Sequence, residues 1–287
     1  MRTEIVELEG GRRFGVERFG DPEGKPMLFF HGLPGSRLEL RHEGPLFASH
    51  GLAVIAIDRP GFGLSTRRRE RTMLDWPEDV RLLADLWGLE RFAVVGYSGG
   101  GRYALACAAA MPERISTAAV IAGPGPPEMP GSRRNLAWLD RASLALAGPA
   151  PLAAAALWRP IRWLVLNRPQ RFARLLGREV SPSDREYLAD PAARGLLLES
   201  LAEGFRQGVG AVVDEYAIEA RPWGFAPEEI QVPVRIWHGD EDPIVPLPHS
   251  TYIADRVPGA RLEVVNGAGH FLGGTIDRVA RAIETEA

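Results

Sequence analysis

One serine in this chain stands where its hydroxyl could become a nucleophile. Phe92 to Val95 is an apolar run that reads as a buried strand. It is followed at once by Gly96-Tyr97-Ser98-Gly99-Gly100-Gly101, and then by an alanine-rich helical stretch. A strand, a sharp turn and a helix with Gly96-x-Ser98-x-Gly100 at the corner is the pattern of a nucleophile elbow. The tight backbone at such a serine brings the residues two before and two after it together, so both must lack bulk. Both are glycine here. The hydroxyl then projects from the end of the sheet beside the positive end of the following helix. Taken alone, the motif is a glycine-rich turn; its weight rests on whether the chain also supplies a base, an acid and oxyanion donors.

The chain has six histidines. His31 and His238 each precede a glycine at the end of an apolar run, where a structural hydrogen bond is the expected role. His42, His50 and His249 lie in helical or loop contexts with no companion signal. His270 is the expected base. It follows a strand, sits in Asn266-Gly267-Ala268-Gly269-His270-Phe271, and opens the helix expected over Phe271 to Glu284. Loops at the carboxyl ends of strands are where an α/β sheet collects functional groups. Three carboxylates, Asp240, Glu241 and Asp242, compete to orient that base in the loop after the preceding strand. Asp240 suits a turn and Glu241 suits solvent. Ser98, acid, His270 is the chain order of an α/β serine relay. An oxyanion needs preformed donors, each worth roughly 3–4 kcal/mol in the transition state. The N–H of Gly99, immediately after the serine, supplies one. Leu33, in the loop after the strand ending at His31, is placed to supply the other, since Pro34 cannot donate and Gly32 lies one residue early.

These residues require a scaffold, and the patterning predicts one. Thr3 to Leu8 and Arg13 to Arg18 alternate around Gly10-Gly11 like an antiparallel hairpin. Strands are expected at Pro26 to Phe30, Leu52 to Ile57, Ile115 to Ile121, Val234 to Trp237 and Arg261 to Val265. Helices are expected over Arg37 to Ser49, Thr72 to Trp87, the stretch after Ser98 to Met111, and Pro248 to Val257. Alternation at this spacing implies a doubly wound, mostly parallel α/β sheet. Arg235 and Glu263 place the last two strands toward an edge. From Gly123 to about Ile230 no strand is legible. Proline-punctuated helices are expected at Arg133–Ala147, Leu152–Leu166, Arg171–Leu176, Ser183–Leu188, Ala192–Glu203 and Gln207–Glu219. The chain therefore divides into a core in two parts, 1–123 and 231–287, with an all-helical cap, 124–230, inserted between them.

At this point the chain resembles the α/β-hydrolase superfamily, in the group with a helical cap. The family's HGxPG oxyanion motif is matched by His31-Gly32-Leu33-Pro34-Gly35. Its DxPGxGxS loop is matched by Asp58-Arg59-Pro60-Gly61-Phe62-Gly63-Leu64-Ser65, and its elbow by Gly96-Tyr97-Ser98-Gly99-Gly100. Its acid motif, GxxD followed by a proline, stands as Gly239-Asp240-Glu241-Asp242 with Pro246. Its GxGH motif is Gly267-Ala268-Gly269-His270. The resemblance selects Asp242 over its neighbours and implies a Ser98–His270–Asp242 triad with no cofactor and no metal. A serine nucleophile separates the chain from the aspartate-using dehalogenases and epoxide hydrolases. Gly99 stands where the family usually has a bulky residue, and would leave space beside the serine.

The implied activity is that of a serine esterase, cleaving a carboxylic ester, lactone or related acyl substrate through an acyl-enzyme. C–C bond hydrolysis, a lyase or a perhydrolase reaction would use the same residues, and a non-catalytic ligand receptor could retain them. Trp138, Trp158, Trp163 and Trp223 lie in the cap, either lining an apolar acyl pocket or packing a thin lid onto the core. The expected partner is a small, apolar acyl substrate. A net charge of -3 over 287 residues gives no reason to expect nucleic acid or an anionic membrane. Lys25 is the one lysine, and Arg67-Arg68-Arg69 is followed by Glu70 and reads as a solvated loop. Cys107 is the single cysteine, so no intrachain disulfide forms. No stretch reads as a membrane span, and the expected location is cytoplasmic.

Overall fold

The computed structural model describes residues 2–286. Eight strands form one sheet in the order β1-β2-β4-β3-β5-β6-β7-β8. The first two, β1 (Arg2–Leu8) and β2 (Arg12–Gly20), form the expected hairpin. Gly10 and Gly11, in the three-residue loop between the paired Leu8 and Arg12, take φ +82° and +78°, a conformation that suits glycine. Strand β2 joins β4 (Leu52–Ile57) antiparallel, and from there the sheet is parallel. Its other members are β3 (Lys25–Phe30), β5 (Phe92–Tyr97), β6 (Ile115–Ile121), β7 (Val234–Gly239) and β8 (Arg261–Val265). Every residue of β6 is buried, whereas β8 is half exposed. Continuous apolar runs thus mark the covered centre and the charged strands mark the edge, as Arg235 and Glu263 implied.

Helices cover both faces. On one lie α2 (Asp75–Leu86), α3 (Gly101–Ala110) and α10 (Pro248–Arg256), whose Trp76, Leu83, Tyr103, Leu105 and Ile253 pack with Leu28, Val94 and Val120. On the other lie α1 (Gly44–Ser49) and α11 (Ile276–Glu286), with Phe47, Val279 and Ile283 against Phe29, Val95 and Trp237. Between β6 and β7 run six helices and no strand: α4 (Trp138–Leu146), α5 (Pro151–Asn167), α6 (Pro169–Leu176), α7 (Pro182–Ala189), α8 (Pro191–Gly204) and α9 (Gly210–Glu219). Their shared cluster of Trp158, Val165, Phe205, Val212 and Tyr216 also takes in Phe62, from the loop after β4.

Three expected helices begin five or more residues later than their patterns suggest. The α-helix expected from Arg37 starts at Gly44, because the Arg37 backbone N–H and guanidinium are both drawn to Asp58, at 2.7 Å each. The helix expected from Arg133 starts at Trp138. The closing helix starts at Ile276, not beside His270. Gly273-Gly274 intervenes, with Gly274 at φ +79°, and paired glycines oppose helix initiation.

Close approach at the elbow sets a strict size limit. A Cβ on Gly100 would lie 2.0 Å from the Phe30 carbonyl oxygen, and one on Gly96 would lie 2.3 Å from the Gly100 oxygen. Gly195, on the exposed side of α8, has open space around it. Gly100→Ala is therefore expected to lower unfolding free energy by about 3 kcal/mol or more. Gly195→Ala should raise it by about 0.5–1 kcal/mol. Urea titration of both variants checks the contrast.

Candidate active site

Strand β5 delivers Ser98 to the carboxyl end of the sheet, where the chain turns through a short 3-10 segment, Ser98–Gly100, into α3. Ser98 has φ +49°, a left-handed conformation that costs a non-glycine residue about 1–3 kcal/mol and persists only where its surroundings hold it. The flanking glycines permit this fold-back. The serine is buried but borders a cleft of about 690 Å³, its open mouth included.

His270 meets it from the loop after β8. The ring Nε2 lies 3.0 Å from Ser98 Oγ, and Nδ1 lies 2.7 Å from Asp242 Oδ2. Because a carboxylate only accepts, Nδ1 carries the proton and Nε2 is left to accept from the serine hydroxyl. Asp242 is fixed in turn by the backbone N–H groups of Ile244 and Val245, which donate to Oδ1 at 2.8 and 2.9 Å. Asp240 accepts instead from Gly267 N–H at 2.7 Å, a turn role, and Glu241 is exposed. Of the three competing carboxylates, the fold brings only Asp242 to the histidine.

The electrostatics follow from this enclosure. Burial works against the ionised form of Asp242, yet His270 and His238 outweigh it and hold the carboxyl below its usual range. Burial also works against the imidazolium of His270, and the Asp242 charge and hydrogen bond reverse that, so its pKa stands above 6.5. The other two strand-end histidines are structural, as expected. His31 donates from Nδ1 to Gly32 O at 2.8 Å and accepts at Nε2 from Arg59 N–H at 3.0 Å. Burial and the Arg59 charge keep it neutral. His238 donates from Nε2 to Val245 O at 2.7 Å and accepts from the Ser250 hydroxyl at 2.6 Å.

Leu33 and Gly99 both line the cleft beside Ser98. Among the described residues the Leu33 N–H donates to no protein acceptor. A Cβ on Gly99 would lie 3.0 Å from Leu33 Cβ and 3.6 Å from Leu33 N, so the two residues are in contact. The room expected beside Gly99 is thus largely taken by the Leu33 side chain.

The sequence model of the alpha/beta hydrolase fold matches residues 25–274. The chain belongs to the alpha/beta hydrolase fold family. Relatives within it include a 2-hydroxymuconate semialdehyde hydrolase of Pseudomonas putida, 28% identical over 260 residues covering 87% of this chain and 82% of that protein. A non-heme chloroperoxidase of Streptomyces lividans is 27% identical over 272 residues, covering 92% of each. Among solved structures, an alpha/beta hydrolase fold protein from Nakamurella multipartita superposes with a TM-score of 0.72 at 19% identity over 100% of both chains.

Within this family fold, the helical insertion supplies contacts that sequence patterning missed. Asp184, on α7, accepts from the backbone N–H groups of His270 (2.8 Å) and Phe271 (2.9 Å), while Ser183 Oγ accepts from Gly269 at 2.9 Å. In the sequence Ser181-x-x-Asp184 reads only as a helix cap, and Ser181 does accept from Asp184 N–H at 3.1 Å. Its second role joins residues 86 positions apart. Glu215, on α9, is fully buried among Arg59, Arg71 and Arg102. It lies 2.9 Å from the Arg102 guanidinium and 3.0 Å from the Tyr103 hydroxyl. Glu39 accepts from Gly32 N–H at 2.7 Å beside the Leu33 loop, and burial lifts its pKa to about 7 against that bond.

The cleft wall decides between the two roles left open for the tryptophans. None of Trp138, Trp158, Trp163 or Trp223 lines it. Trp158 packs inside the insertion and donates to Ser143 Oγ at 2.9 Å, Trp223 stacks on Phe225, and Trp138 and Trp163 face solvent. The wall includes Asp140, Tyr216, Glu219 and His249. The Tyr216 hydroxyl donates to Asp140 at 2.5 Å, and His249 Nδ1 accepts from Gly125 N–H at 3.0 Å.

Two outcomes test this geometry without any turnover. In Asp242→Asn the carboxylate that raises His270 is gone, and NMR titration of the ring is expected to place its pKa below that of the parent protein by roughly one unit or more. Asp184→Ala leaves two buried N–H groups unpaired and is expected to cost about 2–4 kcal/mol, read by denaturant unfolding.

Proposed function

We propose that the chain is a serine hydrolase of carboxylic esters, lactones or related small acyl substrates. The observation that carries this reading is the continuous hydrogen-bonded line Asp242–His270–Ser98 opening onto a cleft. Ser98 Oγ attacks the acyl carbon as its proton passes to His270 Nε2. The N–H groups of Leu33 and Gly99 receive the developing oxyanion, and Asp242 stabilises the imidazolium without taking its proton. Collapse breaks the ester C–O bond, and the leaving alcohol takes the proton from His270. Water then gives a proton to His270 and its oxygen to the acyl-enzyme, and the carboxylic acid departs as Ser98 regains its hydrogen.

The helices of residues 124–230 act as a cap in this reading, since Leu136, Asp140, Leu144, Tyr216 and Glu219 close one side of the cleft. Their chemistry argues for a substrate with a polar group at the end away from the scissile bond, in place of the purely apolar acyl chain expected. A half-buried carboxylate beside a buried tyrosine hydroxyl gains most from a ligand that donates a hydrogen bond to it. C–C bond hydrolysis is the second reading. It is favoured by the similarity to the Pseudomonas putida hydrolase, whose named substrate is a semialdehyde rather than an ester.

Ser98→Ala is expected to reduce turnover of p-nitrophenyl esters by roughly 10⁴-fold or more. A fluorophosphonate should label Ser98 and no other serine; labelling elsewhere would falsify the assignment. Because His270 must be neutral to act as base and its pKa stands above 6.5, kcat/KM should fall as pH drops, with its acid limb above pH 6.5. Stoichiometric labelling without turnover of any ester, lactone or vinylogous diketone would point to a ligand receptor.

A further inference from the structure

The net charge of the chain conceals a strongly cationic face on the insertion. Residues 151–178, which hold α5 and α6, contain Arg159, Arg162, Arg168, Arg171, Arg174 and Arg178 and no lysine, aspartate or glutamate, a formal +6 in a chain of net -3. Five of these arginines are exposed, all but Arg162. Among the described residues none of the six forms an ion pair, and none has an acidic neighbour within the segment to balance it. Arg174 and Arg178 border an open cleft of about 860 Å³ that Arg185 and Arg194 also line.

The same 28 residues carry four of the nine large apolar side chains exposed on the described surface. They are Leu152 (79% exposed), Trp163 (53%), Leu166 and Leu175. Leu152, Ala156, Arg159, Trp163 and Leu166 recur every three or four residues and form one outward stripe along α5, opposite the buried Ala154, Trp158 and Val165. On α6 the exposed residues are Gln170, Arg171, Arg174 and Leu175, with Arg178 just beyond. Unpaired arginines beside outward tryptophan and leucine have two needs at once, a negative counter-surface and an apolar layer. Nucleic acid meets the first and could stack on the tryptophan but offers no layer for the leucines, and a neutral protein groove meets only the second. An anionic lipid interface meets both, because aromatic and aliphatic side chains enter the headgroup boundary while guanidinium groups pair with phosphates.

We propose that α5 and α6 form a docking surface for anionic phospholipid membranes. The protein binds peripherally: among the described residues no helix is long and apolar enough to cross a membrane. Because α5 packs against α4 and α9, which wall the cleft, docking holds that cleft close to the lipid surface and to solutes partitioned there. Binding does not depend on the hydrolase reading and is measured without substrate.

The test is sedimentation of the full chain with vesicles of phosphatidylcholine alone or with about 30% phosphatidylglycerol, at roughly 0.1 M and 0.5 M salt. The expected result is at least tenfold tighter binding to the anionic vesicles, weakened at high salt. Two variants, Arg171→Gln/Arg174→Gln/Arg178→Gln and Leu152→Ser/Trp163→Ser, should each lose most of it while keeping the parent circular dichroism spectrum and melting behaviour. The substituted side chains are exposed and unpaired, so folding is expected to survive. Absence of binding, equal binding to both vesicle types, or binding that survives either variant overturns the proposal. So does a stable dimer in light scattering that the Leu152→Ser/Trp163→Ser variant dissolves without any vesicle binding, since the stripe would then be covered by a second copy.

Discussion

Much of this structure hangs on one fully buried carboxylate. Glu215 reaches from α9 into a pocket formed by Arg59, Arg71 and Arg102, with the Tyr103 hydroxyl across it. Burial opposes its ionisation, but three guanidinium groups outweigh that and hold it charged far below the ordinary carboxylate range. A charge so placed must keep its partners, since removing one side of a buried pair costs about 3–5 kcal/mol. Arg59 belongs to the loop after β4, Arg102 to the helix after Ser98, and Glu215 to the insertion. Arg59 also donates to the carbonyl oxygens of His31 and Gly32, at the base of the Leu33 loop. One ion cluster therefore ties the inserted helices to the segments that carry Leu33, Ser98 and Gly99.

A second tie runs through Asp184 to the His270 loop, and a third through Arg37, which links Asp58 of the core to Glu203 of α8 at 2.7 Å each. The insertion is thus bonded to the core beside all three site loops. A flexible lid joined only by apolar contact would leave the approach of His270 to Ser98 less constrained. The Asp184 contact demands a glycine at 269, where a Cβ would lie 2.1 Å from the Asp184 carboxylate.

Charge shows how an average can mislead. The chain is mildly acidic as a whole, and that balance argues against polyanionic or membrane partners. Electrostatic attraction at a surface decays within about 10 Å, so what matters is the local set of charges. Between residues 151 and 178 that set is entirely positive and accompanied by outward apolar side chains.

The sheet, its strand limits and the candidates Ser98 and His270 were legible in the residues themselves, whereas Asp242 was singled out from Asp240 and Glu241 only through the family resemblance. Strands Leu52–Ile57 and Ile115–Ile121 fall where the apolar runs place them. This is because a strand covered on both faces leaves a run that no helix of that length would leave. The small residues of the elbow and of the GxGH loop are equally local demands, set by backbone approach. Tertiary structure alone decided the rest. It turned Arg37 from helix former to ion-pair partner of Asp58, moved the closing helix past Gly273-Gly274, and kept the tryptophans out of the cleft. It also brought Asp184 to His270, Glu215 to three arginines, and Asp140 to the cleft wall. Each of these is a contact between residues far apart in the chain, and a single chain's periodicity records which face of a helix is apolar but not what that face will meet.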